Sequence, residues 1–293
     1  MVNTGLDAVA SIESTRSFSL GYSPCPNDCF IFHALAHGLV ATDMRWRIQL
    51  DDVEALNQQA LAGALDLSKV SYHAYGHMLE HYVMLRSGGA LGRGVGPLIV
   101  SKQALPNLRG KRVAIPGGLT TANLLLRLSQ GDITTVPLRY DRIMPAVAAA
   151  EVDAGLIIHE SRFTYQEYGL RAYMDLGAWW EEDTGLPLPL GGIVAKRSLG
   201  QPLLARLDAA IAASVGYAWQ YPQASEAYVA AHAQEMNPQV RQQHIDLYVN
   251  SYSLDVAELG EQAVKTLLGR AQAQGLLPAY DQALFVSDSP AFA

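Results

Sequence analysis

The chain has 293 residues, 49% of them apolar, and a formal net charge of −7; this is enough apolar material for a large core, and the length favours two domains. An acidic balance without any Lys/Arg cluster argues against nucleic acid or an anionic membrane surface as the partner. No apolar run approaches the roughly 18 residues that span a bilayer.

The first 20 residues carry Asp7 and Glu13 and have neither a basic start nor an apolar centre. They read as a loose leader rather than an export signal. Cys25 and Cys29 are the only cysteines, which rules out a disulfide framework and makes a reducing cytoplasm the expected location.

Residues 16–23, RSFSLGYS, alternate as a strand does and run into PCPND. Pro24 and Pro26 stop the strand, Asn27 or Asp28 is placed to cap a helix over 28–37, and Gly38 to close it. RWRIQLDDV (45–53) reads as a second strand. LNQQALAGALDLSKVSY (56–72) then reads as helix, turn and strand, with a further helix over 72–80. After a glycine-rich loop, Leu98-Ile99-Val100 forms an apolar strand placed to cross between lobes.

GKRVAIPGGLTTANLLLRLS (110–129) predicts a strand at 112–115, a Pro-Gly-Gly turn and a helix capped by Thr120 or Thr121. Free amides and the positive end of a helix dipole at a strand end make a site for a carboxylate or phosphate. ITTVPLRY (133–140) is a strand, and IMPAVAAAEVDAGLIIHE (143–160) is again helix, turn, strand, ending at His159. This last unit aligns with residues 56–72: Leu65-Asp66 matches Val152-Asp153, Val70 matches Ile157, and Ser71-Tyr72 matches Ile158-His159. A proline-rich loop after Trp179-Trp180 leads to a strand, Gly192 to Lys196, that returns the chain to the first lobe. Helical periodicity follows over 202–219, 222–234, 238–250 and 255–274.

Strands alternating with helices make the class α/β, and the matched units predict two similar lobes facing a shared cleft. Residues 17–98 with 199–284 are expected to form lobe one, and 99–198 an inserted lobe two. In open α/β sheets ligands bind outside the carboxyl ends of strands, which is where His159 falls. An imidazole, with an unperturbed pKa of about 6.5, accepts a proton at neutral pH without special tuning.

Other candidates weigh less. Cys29, His33 and His37 share a helix face and have metal-ligand chemistry, but a buried Cys behaves as a small hydrophobe, and no metal is expected. Gly117-Gly118 lacks the Lys of a phosphate loop. Ser71 has no base beside it in sequence. Trp179-Trp180 fits an aromatic pocket or plain core equally well.

With SPCPND at 23–28, LSKVSYHA at 67–74, IPGGLTTANLLLRL at 115–128, LIIHE at 156–160 and LGAWWEEDTGLPLPLGGI at 176–193, the chain resembles the 1,4-dihydroxy-6-naphthoate synthase family of the futalosine route to menaquinone. The resemblance covers most of residues 17–275; Cys29 stands where the family pattern carries Thr. It implies a two-lobed fold like that of type II periplasmic binding proteins. It also implies a lyase that converts cyclic dehypoxanthinyl futalosine to 1,4-dihydroxy-6-naphthoate with release of the sugar-derived fragment, acting on a small carboxylate and using no cofactor. By matching motifs, His159 would be the general base beside the substrate ketone. Lys69, Val70 and Ser71 would hold the substrate from lobe one, and Thr120 and Thr121 from lobe two. The competing readings are a non-catalytic solute-binding protein for a small carboxylate, against which the missing export signal counts, and the sister enzyme chorismate dehydratase. The SPCPND and LIIHE stretches favour the synthase.

Overall fold

A computed structural model describes residues 16–286; residues 1–15 of the leader read over the first 20 lie outside them, and residues 17–20 belong to the first strand. The chain forms eleven strands among the described residues: β1 (Ser17–Tyr22), β2 (Arg45–Leu50), β3 (Leu67–Ser71), β4 (Tyr82–Met84), β5 (Ala90–Gly92), β6 (Leu98–Ser101), β7 (Arg112–Ile115), β8 (Thr134–Pro137), β9 (Ala154–Ile157), β10 (Arg171–Asp175) and β11 (Leu188–Lys196). They make two sheets, ordered β2-β1-β3-β11-β4 with β5 against β11, and β10-β6-β9-β7-β8. This is the two-lobed α/β architecture of periplasmic binding proteins.

The internal repeat is visible as geometry. β1 pairs in parallel with β2 and β3, and β7 pairs in parallel with β8 and β9. In each sheet the acidic residue of the repeat turn ties the incoming strand to the first one: Asp66 Oδ2 accepts from Ser19 N at 3.0 Å, and Asp153 Oδ2 accepts from Arg112 N at 2.9 Å. The side chain thereby satisfies a strand-edge amide that a turn would leave without a partner.

Each parallel core is extended by an antiparallel strand: β6 on β9, with Leu98 opposite Ile157, and β11 on β3, with Ile193 opposite Lys69. Placing the end of the inserted segment at 198 therefore falls one strand late, because all of β11, Leu188–Lys196, is hydrogen-bonded in the first sheet. Two glycines make that seat. A Cβ on Gly191 would collide with the Val70 carbonyl, and one on Gly192 with Met84 Sδ.

The helices expected after 202 are present as Gln201–Gln220, Pro238–Tyr248 and Ala257–Ala273, with shorter turns between them. Leu207, Ile211 and Val215 of the first are fully buried beside helix Pro26–Ala36. Ser214 Oγ locks the pair by donating to the Ile31 carbonyl at 2.6 Å. The helix read over 72–80 is a single turn, Tyr72–Tyr75. Gly76 follows it, and Leu277 packs so closely there that a Cβ would not fit.

Two further expectations change. Helix Pro26–Ala36 begins with Cys25 as its cap residue and makes no side-chain cap bond; Asn27 and Asp28 sit inside its first turn, because their side chains are drawn into the site described below. Trp180 is plain core: it is fully buried, and its Nε1 donates to the Pro187 carbonyl at 3.1 Å.

Candidate active site

Four strand ends converge on one cavity of about 100 Å³: Ser23 after β1, Ser71 at the end of β3, the 116–120 turn after β7, and Ile158-His159 after β9. A parallel strand feeds its next loop outward at its carboxyl end, so two sheets facing each other bring their loops to a common crevice. Lys69, Val70, Ser71, Thr120, Thr121 and His159 all line it.

From the first sheet, the Lys69 ammonium is 2.9 Å from Asp28 Oδ1 and donates to the Gly88 carbonyl at 2.8 Å. Asp28 Oδ2 in turn accepts from Ser23 Oγ at 2.7 Å. This carboxylate is the reason Asp28 does not cap its helix. Lys69 thus fixes the floor of the cavity, and its charge is neutralised by its partner. Ser71 is held by Asn57, whose Oδ1 accepts from Ser71 N at 2.9 Å and whose Nδ2 donates to Ser71 Oγ at 3.3 Å. Val70, fully buried, supplies apolar wall.

From the second sheet, Thr120 is the true helix cap: its Oγ1 accepts from Asn123 N at 3.2 Å and donates to the Gly117 carbonyl at 2.9 Å. Thr121 Oγ1 donates across the cleft to the Leu190 carbonyl of β11 at 2.6 Å. Both hydroxyls are engaged, which leaves the first-turn amides before Asn123, with no intrahelical acceptor, as the free donors at this helix start. Ala122, in that turn, lines the cavity. Glu54 adds a second bridge across the cleft, its two carboxylate oxygens accepting from Leu119 N at 3.3 and 3.2 Å.

His159 has φ +57, a left-handed conformation in a non-glycine residue. That conformation costs about 1 kcal/mol and persists only where the surroundings over-determine it. Here they do. Its Nδ1 lies 3.5 Å from Cys25 Sγ, the Tyr140 ring meets it edge-on at 5.2 Å, and the His244 ring stacks on it at 6.1 Å with an interplanar angle of 16°. Burial pushes the His159 imidazole down to about 4, against the upward pull of Glu160, so the ring is neutral at pH 7. With Nδ1 turned to Cys25, Nε2 is the nitrogen with no protein hydrogen bond among the described residues. In the tautomer that carries its proton on Nδ1, toward Cys25 Sγ, that free nitrogen is a bare lone pair at the cavity, equipped to take a proton.

Sequence reasoning missed Asn57, Glu54 and His244, while Cys25 and Glu160 lie within the SPCPND and LIIHE motifs. Asn27 and Asp28 lie within SPCPND but were assigned to capping. Nothing in RQQHIDLY marks His244, since its helix reaches the cavity only through tertiary packing. Among the described residues no group of three His, Cys, Asp or Glu side chains is arranged to hold a metal. Cys29 is fully buried in the core beside Phe30 and Ile31, while the His33 and His37 rings meet tilted at 38° with centroids 4.5 Å apart and lie against Tyr228.

A family model described as menaquinone biosynthesis matches residues 18–273. A 1,4-dihydroxy-6-naphthoate synthase of Thermus thermophilus is 55% identical over 271 residues, 92% of this chain and 100% of that protein. The synthase of Streptomyces coelicolor is 49% identical over 274 residues, 91% and 96% of the two chains. Among solved structures, an Archaeoglobus fulgidus protein superposes with a TM-score of 0.86 at 35% identity, covering 90% of this chain and 100% of that one. The alkanesulfonate-binding protein of Xanthomonas axonopodis pv. citri, bound to MOPS, superposes at 0.66 with 17% identity over 90% and 94% of the chains, a likeness of fold alone.

Proposed function

Since the chain belongs to the menaquinone-biosynthesis family and is an enzyme by its relatives, we propose that it is a lyase converting cyclic dehypoxanthinyl futalosine to 1,4-dihydroxy-6-naphthoate. His159 is the general base. It takes the proton from the carbon beside the substrate ketone; the electron pair left behind passes through the enolate, and the bond to the sugar-derived fragment breaks as the ring aromatises. Such a step requires a base and an oxyanion donor rather than a redox partner.

The observation that carries this reading is the state of His159: a half-buried, neutral ring held in a strained backbone conformation with one nitrogen free toward the interlobe cavity. The amides at the start of helix Thr121–Gln130 face the substrate carboxylate, and Ser71, oriented by Asn57, donates from the opposite sheet. A solute-binding protein needs the anion site but has no use for a strained base. The identity to two proteins named as naphthoate synthases supports this activity over chorismate dehydration.

Incubation of the purified protein with the cyclic futalosine derivative, read by the appearance of 1,4-dihydroxy-6-naphthoate, tests the reading. Stoichiometric binding without product would return the chain to the solute-binding class.

A further inference from the structure

A second histidine lines the cavity, and the reaction as derived leaves it without a task. His244, from helix Pro238–Tyr248, is 1% exposed, and its ring lies parallel to that of His159 within 16°. Its Nε2 is 3.0 Å from Asn27 Oδ1, and its Nδ1 is 3.6 Å from Glu160 Oε2.

The hydrogen-bond directions can be assigned from one end. Asn27 Nδ2 donates to Asp28 Oδ1 at 2.9 Å, which leaves Asn27 Oδ1 as an acceptor. His244 Nε2 must therefore carry a proton. Its other nitrogen, Nδ1, then faces Glu160 Oε2, and both atoms are buried without a hydrogen-bond partner. A bare lone pair against a bare carboxylate oxygen would repel, and both groups have already lost their water. One proton between them satisfies both at once.

We propose that Asn27, His244 and Glu160 form a proton-holding chain, with one proton shared between His244 and Glu160, and that His244 is a positioning residue that keeps His159 oriented and neutral as the base. The proposal rests on the reading of His159 given above. Glu160 is the residue next to His159, so a charge left uncompensated at either member of the pair acts directly on the base.

The groups around His159 come from every neighbouring element: Cys25 from the loop before the first helix, Tyr140 from helix Tyr140–Ala148, Glu160 from its own turn and His244 from helix Pro238–Tyr248, with Asp28 and Asp52 farther off. Burial dominates, Glu160 pulls the imidazole up and His244 pushes it down. The two partners oppose each other, so their removal has opposite consequences. A residue that merely fills space would have neither.

The test is the titration of the His159 ring, followed by NMR of isotope-labelled histidine in the full chain, beside the pH dependence of kcat and KM for naphthoate formation. His244→Asn should move the His159 midpoint to higher pH, by about one unit, and lower kcat about ten- to a hundredfold with KM little changed. The isosteric Glu160→Gln should show no His159 protonation above the wild-type midpoint. Circular dichroism of both variants should match wild type. Shifts of the same sign in both variants, or none in His244→Asn, would overturn the proposal. Absence of naphthoate in the wild type would sink the functional reading alone, while the ring titration would still judge the pair.

Discussion

Lys69 Nζ meets Asp28 Oδ1 at 2.9 Å, with the two side chains only 7% and 4% exposed. Two charges removed from water are tolerable only together, so neither residue can be changed alone without stranding the other. Lys69→Met should cost about 3–5 kcal/mol of stability, and Lys69→Met with Asp28→Leu should recover most of it. Urea unfolding of the three variants checks this; an additive double variant would mean that the pair is not coupled.

His159→Asn keeps size and a hydrogen-bonding tip but cannot take a proton. It should retain substrate binding and lose at least about a hundredfold in turnover, since a positioned base contributes about 10²- to 10⁴-fold. Wild-type kcat/KM should fall only as pH drops toward about 4, where the half-buried ring becomes protonated. Turnover by the variant within tenfold of wild type would remove His159 from the base role.

Stability should also fall with acid. His73, buried at the lobe junction with its Nδ1 3.2 Å from the Thr120 carbonyl, is pushed down to about 4, chiefly by burial. Its folded value lies below the unfolded one, so between about pH 6.5 and 4 the unfolded chain binds the extra proton and stability rises with pH. The contribution is present above pH 6.5, is lost on descent to about 4, and amounts to about 3 kcal/mol. His73→Gln should reduce the slope of the melting temperature across that window by about half, since the His159 ring, also held down to about 4, adds a like contribution; an unchanged slope would assign the effect elsewhere.

Thr120→Val removes a helix cap and should cost about 0.5–2 kcal/mol. Thr121→Val breaks the hydroxyl bridge to Leu190 between the two sheets and should raise KM more than it lowers the melting temperature. Calorimetry with a small dicarboxylate separates the two effects. Unchanged affinity in Thr121→Val would mean that the bridge to Leu190 does not hold the anion-binding amides in place.

Exhaustive chelation should leave turnover intact, because proton abstraction beside a ketone is carried by the imidazole and amide donors described here. Loss of activity restored by zinc would revive Cys29, His33 and His37 as ligands.

The residue pattern alone determined the repeat and its consequences. The Asp66 and Asp153 turns, the apolar strands after them and the Pro-Gly-Gly turn before Thr120 are local features whose period and turn chemistry speak directly, and they carried the α/β class, the strand-end site and His159. The SPCPND and LIIHE motifs brought the family into view for the same reason, being contiguous. Tertiary structure decided what depends on contacts distant in the chain. Only packing shows that Asp28 answers Lys69 rather than its own helix end, since a buried ammonium outcompetes a cap for the same carboxylate. The nine residues of β11 join the first sheet because Gly191 and Gly192 fit against β3 and Met84, a fact of shape that has no period. His244 reaches His159 across 85 positions of sequence, from an ordinary surface-patterned helix; its role follows from where that helix lies, and nothing local to residues 238–248 encodes it.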